Sequence, residues 1–201
     1  MSSPRSFVLL FTGPSGAGKS SVIRPMVDAD ERLVFSVSCT TRAPRAGERD
    51  GVDYHFLDRP AFEQQIEADA FAEWAEVHGQ LYGTRRADVQ AELEAGRIPV
   101  LDVDVQGGLQ LLPRYGDDLV SVFLFPPSWE ELERRLRARA TETEESLALR
   151  LRNARHEVRE ADHYAYWIVN ERIEASQGVL RGILTAEAAR RGRFVQAPLS
   201  D

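Results

Sequence analysis

The chain has 201 residues, 43% of them hydrophobic and 28% charged, a length and balance suited to one domain with a sizeable core. A net charge of −7 argues against general nucleic-acid binding, and Cys39, the only cysteine, excludes an intramolecular disulfide and fits a reducing compartment. MSSPRS is too short and polar for a signal peptide, no run approaches the roughly 18 apolar residues that span a bilayer, and His55, His78, His156 and His163 lack ligand spacing, so the expectation is a cytoplasmic protein with no membrane or nucleic-acid partner and no built-in metal site.

In chain order, apolar runs at 7–13, 33–38, 98–105, 119–125 and 166–170 read as strands. Helical patterns lie at 19–29, 87–95, 128–138, 144–162 and 172–190. Their alternation predicts an α/β fold, a parallel sheet core flanked by helices. Ser128 with Glu131, and Thr141 with Glu144, have the capping-box spacing of a helix start, and Gly96 suits a helix stop. Pro25, seventh in its helix, is expected to kink that helix or cut it short.

Residues 39–84 break the alternation. A helix near 60–68 is flanked by alternating Val52, Tyr54 and Phe56, and by Phe71, Glu73 and Ala75, which read as short antiparallel strands. The expected organisation is one domain over 1–201, with a core of 1–38 and 85–201 and an inserted mixed α+β subdomain at 39–84. The Arg/Glu-rich piece 133–145 reads as a mobile connection, a short lid at about 139–146, and the tail RRGRFVQAPLSD as frayed.

The stretch Gly13-Pro14-Ser15-Gly16-Ala17-Gly18-Lys19-Ser20 matches G-x-x-x-x-G-K-[ST] between a predicted strand and a predicted helix. Glycines let the backbone fold around phosphates with its N–H groups inward, and the helix N-terminus adds positive potential. In this P-loop NTPase pattern Lys19 reaches the outer phosphates and the Ser20 hydroxyl ligates magnesium, so ATP with Mg²⁺ is the expected cofactor. Lys19 is also the only lysine among 25 Lys+Arg residues. A phosphate cradle requires a compact ammonium with rotatable donors, where the wider fork of Arg does not fit. Asp102, ending an apolar strand, reads as a Walker-B-type acid holding magnesium through water.

Within the insert, Arg42 and Arg45, with Ser38 before them and Tyr54 after, offer donors that converge on one anion, and paired Arg forks suit a phosphate monoester. The segments SVSCTTRAPRAGERDGVDYHF, FAEWAEVHGQLYGT, VLDVDVQG, PPSWEELERRL and RATETEESLALRL follow in order and resemble the guanylate kinase family, over about residues 7–170. The resemblance implies ATP:GMP phosphotransfer within purine nucleotide metabolism, with 39–84 as the GMP-binding subdomain. It implies that Arg42 and Arg45 hold the GMP phosphate with help from Tyr54 and Tyr82. Glu73 and Asp104 then read guanine, the hydroxyls of Ser38 and Thr84 complete the base contacts, Arg139 and Arg150 are lid arginines, and Asn170 lies near the ATP adenine. Lys19, Arg42, Arg139 and Arg150 together would surround the transferring phosphoryl group with positive charge, and no covalent nucleophile is required.

Trp74 reads as core and Cys39 as a packing residue beside the site. The lid reads R-A-T where R-G-T is usual, with Ala140 in place of glycine, and Glu171 replaces a common aspartate. Two other readings stand beside the kinase: a non-catalytic guanylate-kinase-like binding module, and a kinase of another small phosphorylated substrate. An intact phosphate loop opposes the first; Glu73, Thr84 and Asp104 occurring together oppose the second. The sequence is silent on whether the chain is a monomer or a homo-oligomer.

Overall fold

Strand β1 (Val8–Thr12) is buried along its length and divides its side chains between two cores. Phe7, Leu9 and Phe11 face one core; Val8 and Leu10 face the other. A strand apolar on both faces needs cover on both, as in a parallel sheet between helical layers. The computed structural model, which describes residues 5–77, 79–138 and 143–194, has that arrangement. Its five-stranded sheet runs β2 (Leu33–Phe35), β7 (Ile98–Leu101), β1, β8 (Leu119–Phe125) and β9 (Tyr166–Val169), every neighbouring pair parallel. Helices α1 (Lys19–Ala29) and α7 (Ile173–Ala188) bury Val22, Ile23, Leu180 and Leu184 on one face. Helices α3 (Arg86–Glu94) and α4 (Val105–Tyr115) bury Val89, Val105 and Leu111 on the other.

A second sheet, of four strands, has the order β4 (His55–Phe56), β3 (Cys39–Thr40), β6 (Gln80–Arg85) and β5 (Phe71–Val77). Helix α2 (Arg59–Glu67) starts where the Asp58 carboxylate accepts the Ala61 N–H at 2.8 Å, and Pro60 fits its first turn. Its Phe62 stacks on Phe71 at 4.4 Å, over a small core shared with Cys39 and Leu81. Helices α5 (Trp129–Arg137) and α6 (Glu144–Arg159) close on each other through Leu132, Leu136, Leu147 and Ala154.

Several sequence expectations are corrected. The strand expected over 98–105 ends at Leu101, and α4, unforeseen, begins at Val105. Gly107, Gly108 and Pro113 are poor helix formers; the Asp104 cap and the burial of Val105 and Leu111 hold the helix together. Pro25 does not cut α1 short, since the helix continues four residues beyond it to Ala29. Strand β4 pairs parallel, not antiparallel, with β3, because its partner lies across a loop and not across a hairpin. Val52 sits exposed in the turn before β4, outside any strand. Most of the piece 133–138 is ordered helix, with Leu136 fully buried under α6.

The Ser128 cap forms as expected, accepting the Glu131 N–H at 3.1 Å. Helix α6 is instead capped by Thr143, which accepts the Ser146 N–H at 3.2 Å; Thr141 and Ala140 lie outside the described residues. The tail is anchored as far as Phe194. Arg193 is only 2% exposed, its guanidinium 4.8 Å from the Phe7 ring and 3.2 Å from carboxylates of both Glu187 and Asp118. Burial of that charge is tolerated because it is paired. Among the described residues no helix is long and apolar enough to cross a membrane.

Candidate active site

The phosphate loop leaves the carboxyl end of β1, at the centre of the sheet, where open α/β sheets place their ligand crevice. Gly13, Gly16 and Gly18 have φ of 144°, 91° and 97°, which L side chains rarely adopt. A Cβ on Gly13 would lie 2.3 Å from the Leu124 carbonyl oxygen of β8, so the loop can pass there only as glycine. Helix α1 begins at Lys19 with Gly18 as its cap and no capping side chain, which leaves first-turn N–H groups open to an anion. Lys19 Nζ donates to the Gly13 carbonyl at 2.7 Å, folded along the loop it serves.

The back of the loop is braced by Asn170, which the resemblance places near the adenine, and by Arg135 and Ser176, which the sequence did not single out. Ala17 carbonyl accepts from Asn170 Nδ2 at 2.8 Å and from Arg135 at 3.2 Å, and Arg135 also reaches the Asn170 carbonyl at 3.1 Å. Ser176 of α7 donates to Asn170 Oδ1 at 3.0 Å, so this buried amide ties the loop to α7. Asn170 also borders a recess beside Gly16, Gly18, Arg134 and Arg135.

In front of the loop, Gly13 to Ser21 form one side of a cleft whose other side carries Arg150, Asn153 and Glu157 of α6. Its floor is the β7–α4 connection Asp102-Val103-Asp104, tied to β1 by Thr12, whose hydroxyl donates to the Val103 carbonyl at 2.9 Å. The cleft walls crowd the Asp102 carboxyl and push it up, while Lys19 and Arg24 pull it back. Burial likewise raises Glu157, which faces the same cleft and was not anticipated; Lys19 lowers it and Asp104 raises it.

A smaller pocket adjoins the cleft and brings together Ser38, Tyr54, Glu73, Tyr82 and Asp104; Asp102 and Val103 line both spaces. Glu73 is only 5% exposed. Burial pushes its carboxyl up to about 7, against the Thr84 hydroxyl, which donates to Oε1 at 2.6 Å, and with Asp104 adding repulsion. Trp74, expected in the core, is 38% exposed: Glu73 and Ala75 line the pocket face of β5, so alternation turns Trp74 to the other face despite its size. Burial lifts the Cys39 thiol to about 11, so it is a neutral packing group under Phe62 and Phe71.

At the pocket mouth, the Arg42 guanidinium lies 5.3 Å from the Tyr54 ring and donates to the Ala43 carbonyl at 2.7 Å. Glu48, which the sequence left unassigned, accepts from Arg42 at 2.8 Å and from the Arg45 N–H at 2.7 Å, fixing the turn that carries both arginines. The Arg45 side chain is exposed on that turn. Of the residues expected at the site, the structure gathers Ser38, Arg42, Tyr54, Glu73, Tyr82, Thr84 and Asp104 around one pocket, and the phosphate loop, Asp102 and Arg150 around the other. Arg139 lies outside the described residues.

Two hard oxygen donors, the Ser20 hydroxyl and the Asp102 carboxylate, face the cleft beside the loop. Magnesium takes one or two protein oxygens and completes its shell with water and phosphate, so this donor set fits it.

A sequence profile described as guanylate kinase matches residues 4–187. Guanylate kinase of Sphingopyxis alaskensis is 44% identical over 95% of this chain and 87% of its own. That of Syntrophotalea carbinolica is 47% identical over 93% of this chain and 89% of its own. The crystal structure of guanylate kinase from Anaplasma phagocytophilum superposes with a TM-score of 0.79 at 34% identity, covering 97% of this chain and 93% of that one. Likeness of this extent in both sequence and fold means that the chain belongs to the guanylate kinase family.

Proposed function

We propose that the two adjoining spaces are the ATP and GMP sites of an ATP:GMP phosphotransferase, and that the phosphoryl group passes between them over the Asp102–Asp104 floor. The observation that carries this reading is that shared floor: Asp102, Val103 and Asp104 line both the phosphate-loop cleft and the pocket containing Glu73. A nucleotide held by its phosphates at Gly13–Ser20 and a second one held by its base at Glu73 and Asp104 would therefore meet end to end. An intact phosphate loop with its glycine conformations in place favours catalysis over a purely binding role.

Each role follows from position. Open N–H groups of the loop and α1 bind the ATP phosphates, and Lys19, swung from the Gly13 carbonyl, neutralises charge on the group in transit. The recess by Arg135 and Asn170 takes the adenine end. Arg42 and Arg45 grip the GMP phosphate, with Tyr54 and Tyr82 shaping the mouth. Arg150, across the cleft from the loop, adds positive charge from α6. Guanine presents two adjacent donors to the Glu73 and Asp104 carboxylates, and Ser38 and Thr84 supply hydroxyls. Ser20 directly, and Asp102 through water, would hold magnesium, which when bound neutralises charge on the outer phosphates. Arg139 belongs to the same set by its place in the lid motif. Residues 39–84 act as the GMP-binding subdomain, and the protein works in the cytoplasm on small-molecule substrates.

The test is to mix the protein with MgATP and each nucleoside monophosphate in turn. GDP and ADP should form from GMP. Absence of turnover with GMP, or equal turnover with AMP, would overturn the reading.

A further inference from the structure

Helix α4 meets the base pocket with an unusually bare first turn, Val105-Gln106-Gly107-Gly108. The Gly107 N–H donates to Asp104 Oδ1 at 2.8 Å, which sets the orientation of that carboxylate. A Cβ on Gly107 would lie 2.5 Å from Glu73 Oε2 and 3.2 Å from Glu73 Cδ, so the Glu73 carboxylate occupies the volume a side chain at 107 would need. Neither group has an easy retreat. Glu73 Oε1 is held by the Thr84 hydroxyl at 2.6 Å. Gln110, nearly one turn along α4 from Gly107, accepts the Trp74 N–H at 3.2 Å and donates to the Trp74 carbonyl at 2.7 Å, which fixes β5 against α4 beside Glu73.

Backbone conformation does not explain this glycine. Gly107 is absent from the positive-φ positions and sits in regular helix, where alanine is the better helix former. The pocket explains it. We propose that Gly107 is a specificity-determining residue for guanine: its bare Cα seats the Glu73 carboxylate while its N–H orients Asp104, so one position sets both base-reading groups. This rests on the reading that Glu73 and Asp104 recognise guanine.

The experiment is a double-mutant cycle on kcat/KM for GMP, with a crystal structure of the single variant. Gly107→Ala should displace the Glu73 carboxylate and lower kcat/KM for GMP about thirtyfold, the order expected when a hydrogen bond to a charged group is lost. The effect should appear in KM for GMP, with KM for ATP unchanged. In a Glu73→Asp background, whose shorter side chain vacates the contested volume, adding Gly107→Ala should change kcat/KM less than about threefold, because the two sites are coupled. Gly178→Ala in α7, where a Cβ meets nothing within 4 Å, serves as the control and should leave activity unchanged.

If Gly107→Ala does not fold, Glu73→Asp/Gly107→Ala should fold, as read by thermal melting; a double variant as unstable as the single overturns the proposal. Near-parent use of GMP by Gly107→Ala, while Glu73→Gln impairs it, overturns the proposal and leaves the guanine reading intact. Near-parent use of GMP by Glu73→Gln overturns the guanine reading itself, and the proposal with it.

Discussion

The phosphate loop and the base pocket recognise their ligands by opposite means. The loop works through main chain: glycines at φ of 91° and 97°, open N–H groups at the start of α1, and one movable ammonium. The proposed base pocket offers side chains from three different elements, buried Glu73 on β5 and Thr84 on β6 and half-buried Asp104 at the cap of α4. A loop of dipoles can stay wet and still hold a multiply charged phosphate, since many weak contributions add. A base carries no charge, so its recognition depends on hydrogen bonds that water would otherwise satisfy, and the readers must be buried. Burial has a consequence visible at Glu73, whose carboxyl rises to about 7.

The contrast predicts that errors of base are punished more than errors of phosphate contact. The largest effect should be the discrimination between GMP and AMP. Adenine places a ring lone pair where guanine has an N–H, facing a carboxylate, and sites of this kind reject the wrong ligand by roughly 10⁴-fold. A ratio of kcat/KM values within tenfold would remove Glu73 and Asp104 from the reading of the base. Next, Lys19→Arg or Lys19→Ala should lower turnover about a hundredfold or more while GMP affinity, measured by calorimetry, barely moves. A Lys19→Arg enzyme with near-parent turnover would show that the cradle accepts a planar cation.

Arg42→Ala sharpens the comparison from the phosphate side. It should lower kcat/KM for GMP, dGMP and IMP by a common factor of about thirty, because Arg42 serves the shared phosphate and not the base. Unequal factors would mean that Arg42 senses the base through Tyr54 or Tyr82. The smallest effect concerns pH. Folded Glu73 titrates near 7 against an ordinary 4.5, so between these values the folded chain binds more protons than the unfolded one. The stability from this group is therefore full below pH 4.5 and lost as pH rises through about 7; denaturant titrations should show that fall in the parent and not in Glu73→Gln. The ionised carboxylate is the form that accepts guanine donors, so GMP affinity should weaken up to about tenfold from pH 7 to 6. Calorimetry in buffers of different ionisation enthalpy should then detect a released proton.

Local rules were legible where local geometry is decisive. The run into Gly13–Ser20 forms strand, loop and helix as its residues demand, and Ser128 caps α5 as its spacing predicts. Legibility failed where long-range contact overrode local preference. Helix α4 was invisible because its glycines are placed for close approach by Glu73 and Tyr164. Trp74 read as core by size, whereas the two-residue period that buries Glu73 turns it outward. Arg193 read as tail, yet Glu187, Asp118 and Phe7 pair it in the interior.

Sequence alone determined the family, the phosphate loop with Lys19, and the carboxylates and arginines from which a nucleotide site is made, because each resides in a short ordered motif. Tertiary structure decided that Glu73 and Asp104 share a pocket whose floor also serves the phosphate loop. It also decided that Glu73 is buried enough to titrate near neutrality, and that Glu48, Arg135 and Gly107 sit against Arg42, the Ala17 carbonyl and Glu73 respectively. Proximity and burial depend on which distant segments pack together, and no spacing along the chain records that.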